Sequence, residues 1–376
     1  MIKNIPFAKP YFTDEDLEEI ILKIRGVLQS GWLTSGPYTK QFEQQFGSYI
    51  GVSHAIAVNS CTAALHSILL ALGIEHGDEV IVPSNTFVAT ANSALYVGAR
   101  PVFADSDPET FNISPSEIQN KLSRKTKAII VVHIGGNPCE MKEIMDIAED
   151  HKIPIIEDAA HAHGSKYGDN FCGSMGLAAG FSFYPTKVMT CGEGGIVVTE
   201  DEKLAEKIKM IRNHGRSSYG PVEISELGYN FRLTDIHAVI GLTQFKHLNE
   251  YVQHRNKIAR FYNDELSKIS WLTPQKIKNS NLSSYYVYIV KIGEDGPITR
   301  NELALRLKER GIGTSVLYYP VHLQPLYIKL FKFKRGTLPI AEELGERTIA
   351  LPMDNGISIE DAKYVVEMIK QIVNEW

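Results

Sequence analysis

No stretch of the sequence approaches the ~18 consecutive apolar residues that a membrane-spanning helix requires. The first lysine is not followed by a long apolar run, so no secretory signal peptide is expected. Positive charge is also in short supply: 39 Lys and Arg face 44 Asp and Glu, for a net charge of −5. A surface for nucleic acid or anionic lipid needs clustered Lys and Arg, and nothing of that kind is present. Cysteine is scarce. Cys61, Cys139, Cys172 and Cys191 are widely spaced with no CxxC pair, which argues against a disulfide frame or a zinc site and for free thiols in a reducing cytoplasm. A Walker lysine motif and a GxGxxG after a strand are both missing, so the common ATP and dinucleotide fingerprints are excluded. Repeats and low-complexity segments are absent.

What remains is 376 residues of ordinary globular composition, 44% hydrophobic, too long for one small core. Thr13 followed by Asp14, Glu15 and Asp16 predicts a helix start, and Leu17, Ile20, Ile21, Ile24 and Leu28 recur at helical spacing up to Gly31. Seven apolar runs then read as strands: HAIAVNS (54–60), DEVIVP (78–83), RPVFAD (100–105), AIIVVHI (128–134), IPIIEDAA (153–160), GFSFYP (180–185) and GGIVVTED (194–201). The first five alternate with helical segments. Continuous β-branched runs of this kind predict a largely parallel sheet buried on both faces. Residues 1–245 are expected to form one α/β domain with an N-terminal helical arm. A single long helix is expected beyond Thr234, leading into a smaller α+β domain over 246–376. Its expected strands are YYVYIVKI (285–292) and TSVLYY (314–319), with helices at ITRNELALRLKERG and SIEDAKYVVEMIKQIVNEW.

In such sheets ligands bind beyond the carboxyl ends of the strands. Asn59-Ser60-Cys61-Thr62 ends the first run where a helix opens, and this reads either as an ordinary cap or as a phosphate cradle. Phe87, after the second run, either packs in the core or stacks on a planar ligand. Asp158 ends the fifth run, and a buried carboxylate there needs a donor or cation: it caps the next turn or pairs with a protonated ring nitrogen. His161 and His163 are two apart and so face opposite ways in extended chain, which disfavours a metal pair. Lys187 stands between a buried strand and the glycines 192, 194 and 195, which permit close backbone approach. Such an amine can condense with an aldehyde. Phosphate cradle, stacking aromatic, buried aspartate and amine together describe a pyridoxal 5'-phosphate site.

The motifs SGWLTSGP (30–37), NSCTAALHSILLAL, EDAAHAHGS, FSFYPTKVMTCGEGG, GYNFRLTDIHAVIGL and YYPVHLQPLY (318–327) occur in one order over nearly the whole chain. In them the sequence resembles the DegT/DnrJ/EryC1/StrS sugar aminotransferases, of fold-type I among the pyridoxal phosphate enzymes. The resemblance implies a seven-stranded, mostly parallel sheet domain with a smaller α+β domain. It places Lys187 at the Schiff-base lysine, Asp158 at the residue pairing the pyridine nitrogen and Phe87 at the ring-stacking aromatic. His161 falls near the ring's 3′ oxygen, and Thr62 and Ser182 on phosphate contacts. Cys61 stands where many relatives have glycine, with a backbone contact to the phosphate. Asn230 matches an asparagine reaching the partner subunit's cofactor phosphate, which implies a homodimer with shared sites. Thr34, Tyr319 and His322 fall on substrate-facing stretches. The implied reaction moves an amino group from L-glutamate or glutamine to a nucleotide-linked ketosugar, in amino-sugar and glycan biosynthesis. VHIGGNPCEM (132–141) and FYPTK are similar to the perosamine-forming branch, which implies a 4-keto-6-deoxy sugar. The alternatives are a dehydratase of the same family and a non-catalytic regulator. Several such dehydratases have histidine at the lysine position, and degenerate regulators are expected to lose the lysine or the aspartate. Lys187 and Asp158 disfavour both.

Overall fold

A computed structural model describes residues 3–217 and 223–374. The expected cap at Thr13 forms reciprocally. The Asp16 N–H donates to Thr13 Oγ1 at 3.1 Å, and the Thr13 N–H donates to the Asp16 carboxylate at 2.9 Å. Gly31, at φ 73°, ends that helix in the left-handed region that glycine enters without steric cost.

Twelve strands follow among the described residues. They are β1 (His54–Val58), β2 (Glu79–Pro83), β3 (Arg100–Ala104), β4 (Thr126–Val132), β5 (Ile155–Asp158), β6 (Lys166–Tyr167), β7 (Asn170–Phe171), β8 (Ala178–Ser182), β9 (Gly195–Thr199), β10 (Leu272–Pro274), β11 (Tyr288–Ile292) and β12 (Thr348–Leu351). Seven of these make the large sheet in the order β1-β9-β8-β5-β4-β2-β3. Pairing is parallel from β3 through β2, β4 and β5 to β8, and antiparallel where β9 meets β8 and β1. Two antiparallel steps return β1 to the direction of the others, so β9 alone runs against the sheet. The carboxyl ends of β1, β2, β4, β5 and β8 therefore share one edge with the start of β9. Sheet residues such as Ile56, Val82, Ile130 and Ile156 are fully buried, because helices cover both faces as the continuous apolar runs predict.

The helix Pro37–Ile50 was not expected from the sequence. Its signals are Pro37 at the first helical position and Phe42, Phe46 and Ile50 four apart, all buried. Its cap is not local. Gly36 precedes it, and the Gly36, Tyr38 and Thr39 N–H groups donate instead to the buried Asp235 carboxylate, some 199 residues away. A Cβ on Gly36 would collide with that carboxylate.

Three expectations beyond Thr234 need correction. The long helix is interrupted: one helix spans Asp235–Phe245 with the Thr234 side chain as its cap, and a second runs Leu248–Leu266 from His247. At the break the His247 N–H donates to the Gln244 carbonyl, only three residues back, and Gln244 Nε2 donates to the Tyr11 carbonyl. The stretch 314–319 is not a strand. It touches the small antiparallel sheet, β10-β11-β12, only through a bridge between Ser315 and Ala350, and β12 occupies the place beside β11. Its backbone is engaged elsewhere, since the Tyr318 N–H donates to Asn85 Oδ1 beyond β2. The run 285–292 becomes a strand only from Tyr288. Helices form at Arg300–Glu309, capped by Thr299, and at Ile359–Asn374; the final residues 375–376 of that expected helix lie outside the described residues. Among the described residues no helix is long and apolar enough to cross a membrane.

Candidate active site

A cavity of about 460 Å³ opens at the shared carboxyl edge of the large sheet. Each strand end contributes to it: Ser60, Cys61 and Thr62 follow β1, Thr86 and Phe87 follow β2, and Val132 ends β4. Asp158, Ala160 and His161 come from the end of β5, Ser182, Tyr184, Thr186 and Lys187 from β8, and Glu193 precedes β9. Tyr286 and Tyr318 close it from the C-terminal part of the chain. Lys187 is the one Lys or Arg lining it among the described residues.

The wall after β1 is the N-terminus of the helix Cys61–Ala71. Ser60 Oγ accepts from the Ala63 N–H at 3.1 Å, which caps one free amide and leaves others facing the cavity beside the Thr62 hydroxyl. Gly195 at the start of β9 packs on this turn so tightly that a Cβ would strike the Ser60 and Cys61 backbone. Ser182, from β8, sits on the same side. Hydroxyls and amides at a helix N-terminus suit a phosphate.

At the floor, Asp158 is buried and makes no salt bridge among the described residues. Its carboxylate accepts from Thr90 Oγ1 at 2.7 Å and from the Ala160 N–H at 3.2 Å, with the Cys61 thiol at 3.9 Å. Thr86 and Thr90 hydroxyls are bonded to each other at 2.8 Å behind it. Burial pushes the Asp158 carboxyl above its usual range, and the Thr90 and Ala160 hydrogen bonds and the Lys187 charge only partly offset this. Burial and the same carboxylate push the Cys61 thiol well up, so it is a thiol and not a thiolate. A buried acid with polar partners but no cation fits a ligand that brings positive charge to it.

Lys187 Nζ lies 4.3 Å from the centroid of the Tyr286 ring, and the Lys187 N–H donates to the Tyr184 carbonyl. Tyr286 is held in turn by its hydroxyl, 2.9 Å from Thr186 Oγ1. Phe87 heads the helix Val88–Tyr96 with its ring 55% exposed into the opening. An aromatic face left bare at a cavity mouth fits a flat ligand better than a core. His161 is stacked on Tyr286 at 4.4 Å and bonded to Tyr318.

The remaining expected positions are not brought to this cavity within one chain. Asn230 is exposed; its carbonyl accepts from Asn59 Nδ2, and its backbone bridges Asn213. Thr34 is exposed and donates to the Leu233 carbonyl. Tyr319 is half-exposed outside the lining. His322 is fully buried, with Nδ1 2.7 Å from Ser84 Oγ and Nε2 3.1 Å from Glu342. It ties the 320–324 segment to the end of β2 and does not face the cavity. Thr90, Tyr286 and Tyr318 belong to the site and escaped the sequence reading. Their signal was the polar or aromatic residue beside an already suspected motif, as in SNTFVAT and YYPVH.

His163 leaves the site altogether, packed among Phe46, Phe181 and Phe183 with neither ring nitrogen well hydrogen-bonded. Burial foremost, with the Lys187 and Arg255 charges, holds it down to about 3, and a weak approach to the Ser182 backbone offsets little. The unfolded histidine takes up a proton below about pH 6.5 and the folded one does not, so stability is complete above that pH. It declines by about 1.4 kcal/mol per pH unit down to about pH 3. His163→Leu is expected to shrink the difference in unfolding free energy between pH 7.5 and pH 5 by about 2 kcal/mol, read by urea titration at both. An unchanged difference would mean that His163 is protonated in the folded protein.

Residues 14–370 match the DegT/DnrJ/EryC1/StrS aminotransferase family. The chain is 39% identical to the spore coat polysaccharide biosynthesis protein SpsC of Bacillus subtilis, over 98% of this chain and 97% of that protein. It is 37% identical to GDP-perosamine synthase of Escherichia coli O157:H7 over the full length of both. Among solved structures, Helicobacter pylori PseC, an aminotransferase involved in the biosynthesis of pseudoaminic acid, superposes with a TM-score of 0.94. It shares 30% identity and covers all of both chains.

Proposed function

The chain belongs to the DegT/DnrJ/EryC1/StrS aminotransferase family, whose members are pyridoxal phosphate-dependent sugar aminotransferases, and on that footing we propose that it aminates a nucleotide-linked 4-keto-6-deoxy sugar with L-glutamate or glutamine as donor. The observation that carries the reading is one cavity that holds the amine of Lys187 and the buried carboxylate of Asp158, which has no salt-bridge partner among the described residues. The full-length similarity to a GDP-perosamine synthase supports the 4-keto choice.

When bound, pyridoxal 5'-phosphate supplies an aldehyde carbon and an electron-withdrawing ring. In this reading the helix N-terminus at Cys61, with the Thr62 and Ser182 hydroxyls, takes the phosphate. Asp158 holds a proton on the ring nitrogen, and Phe87 covers one ring face. Lys187 holds the aldehyde carbon. With its amine free, Lys187 would move a proton from and to the donor's Cα as general base and acid. Hydroxyls and amides leave a phosphate dianion short of positive charge, and no Arg lines the cavity among the described residues. The homodimer reading adds one more neutral donor but no charge, with Asn230 reaching the phosphate in the partner subunit. Leu17, Ile21, Leu22, Leu28 and Trp32, all exposed on or beside the first helix, support a second copy covering that face.

The test is a two-stage assay. Protein loaded with pyridoxal 5'-phosphate is expected to lose its yellow absorbance on adding L-glutamate or glutamine. It should then aminate GDP-linked 4-keto-6-deoxy sugar faster than the dTDP- and UDP-linked 3- and 4-ketosugars. Bleaching by neither donor would sink the aminotransferase reading, and turnover confined to 3-ketosugars would sink the choice of substrate.

A further inference from the structure

Arg255, on the helix Leu248–Leu266, is only 1% exposed and makes no salt bridge among the described residues. Burial brings its guanidinium down to about 10, so it is still a cation at neutral pH. A buried charge without a carboxylate is costly, and its partners show where it acts. Nη1 donates to the Tyr285 and Tyr286 carbonyls, each at 3.0 Å, and to the Met353 carbonyl at 3.2 Å. Nε donates to Asn355 Oδ1 at 2.6 Å. Both routes lead on to the segment that carries the cavity's amine. Asn355 Nδ2 donates to the Val188 carbonyl at 2.8 Å. The Tyr286 hydroxyl is bonded to Thr186 Oγ1, and the Tyr286 ring takes Lys187 Nζ at 4.3 Å from its centroid. Three successive residues, Thr186, Lys187 and Val188, are thus each met by a group that Arg255 holds. The Tyr285 backbone stands at φ 45°, in the left-handed region that residues with a side chain rarely enter, and its carbonyl is one that Arg255 ties down.

We infer that Arg255 is a positioning residue for Lys187, acting through Asn355 and Tyr286 to fix the amine at the cavity. The inference rests on the pyridoxal phosphate reading for the amine's task, and on contacts within the protein for the rest. Lys187 lies between β8 and β9, outside any helix or strand, so no ladder of backbone hydrogen bonds sets its place. Its side chain is long and flexible, and holding one conformer costs rotamer entropy. The tie at Val188 fixes where that side chain starts. The face of Tyr286 attracts the protonated amine and so favours one direction for it. A guanidinium suits the task because its planar fork of five donors can hold two segments at once, which the point charge of a lysine cannot. The fork faces carbonyls and an amide, so its whole hydrogen-bonding capacity goes into fixing backbone and Asn355.

The test sets two compounds against each other on cofactor-free protein. Capture of pyridoxal 5'-phosphate, followed as the rate at which yellow absorbance appears, needs the Lys187 amine. Binding of pyridoxamine 5'-phosphate, followed by equilibrium fluorescence, has no aldehyde for the lysine and reads the phosphate and ring contacts alone. Asn355→Asp still accepts from Arg255 but cannot donate to Val188, and is expected to slow capture about 5- to 10-fold. Arg255→Lys should slow it by about 10- to 100-fold, the effect of a small displacement of a reacting group. Tyr286→Leu should slow it about 10-fold, and Tyr286→Phe, which keeps the ring face, should recover most of that. Pyridoxamine phosphate affinity should stay within about twofold of wild type in each. In a Lys187→Ala background, Asn355→Asp should change the binding of neither compound, because it acts through the lysine. Equal weakening of both compounds by these substitutions would overturn the inference, leaving Arg255 a purely structural residue. Wild-type capture rates in both Asn355→Asp and Tyr286→Leu would overturn it as well, even if Arg255→Lys fails to fold. Failure of wild-type protein to bind either compound would instead refute the cofactor reading itself.

Discussion

Lys187→Ala is expected to abolish turnover while the protein still binds pyridoxal 5'-phosphate. The amine has two roles in the proposed chemistry: it holds the aldehyde carbon, and it carries the proton at the donor's Cα. General acid–base transfer alone contributes about 10²–10⁴ in rate, so loss of both roles should leave less than about 10⁻⁴ of the activity. Binding should survive because the proposed phosphate and ring contacts, from Cys61, Thr62, Ser182, Phe87 and Asp158, do not involve the Lys187 side chain. No other Lys or Arg lines the cavity among the described residues, so none is placed to substitute. Borohydride reduction followed by peptide mapping checks the assignment: the pyridoxyl label should fall on Lys187 in the wild type and be absent in the variant. A label on another lysine would sink it. The same variant tests the shared-site dimer. Asn230→Asp would set a carboxylate against a phosphate dianion, a repulsion of about 4 kcal/mol per unit charge pair at ~4 Å and an effective dielectric of ~20. A mixed dimer of Lys187→Ala and Asn230→Asp chains collects both lesions in one site and none in the other if Asn230 acts across the interface. Up to about half the activity should then return. No rescue in a confirmed mixed dimer would place both residues in one site.

Asp158→Asn should fold and bind cofactor but lose about 10²–10³ in the rate of the glutamate half-reaction. The carboxylate sits at the floor of the cavity with donors from Thr90 and Ala160 and with burial working against its charge. A protonated ring nitrogen would supply the cation this site lacks, and breaking such a buried pair typically costs about 3–5 kcal/mol. The neutral amide can accept the Thr90 hydrogen bond but cannot hold a proton on the ring. The electron-withdrawing power of the ring should therefore fall at the step that removes the Cα proton. Stopped-flow absorbance under single-turnover conditions measures that step apart from ketosugar binding. A half-reaction rate within about threefold of wild type would leave Asp158 as the cap of the 159–162 turn, through its bond to the Ala160 N–H.

The parts of the site that were legible in the sequence share one property: each follows its own strand. Ser60, Thr62, Phe87, Asp158, His161 and Lys187 stand just beyond an apolar run, and a parallel sheet with covered faces gathers such positions at one edge whatever the details of packing. The β-branched runs and their alternation with helices therefore determined both the architecture and the location of the cavity. Local capping chemistry was readable for the same reason, as at Thr13 with Asp16 and at Thr234.

What only the tertiary structure decided are the partnerships between distant segments. The helix Pro37–Ile50 takes its cap from Asp235, so no local signature announces it. Thr90 reaches Asp158 across 68 residues, and Tyr318 reaches His161 across 157. His322, in a stretch that resembles a substrate-facing one, is buried between Ser84 and Glu342. The run 314–319 has the composition of a strand, but its Tyr318 N–H is taken by Asn85, and β12 holds the place beside β11. Hydrophobic periodicity reports which face of an element is buried, because burial of apolar area depends on the element's own side chains. It carries no information about which polar group will lie within 3 Å of another once the elements pack, because hydrogen bonds depend on distance and direction between groups that the chain brings together only on folding.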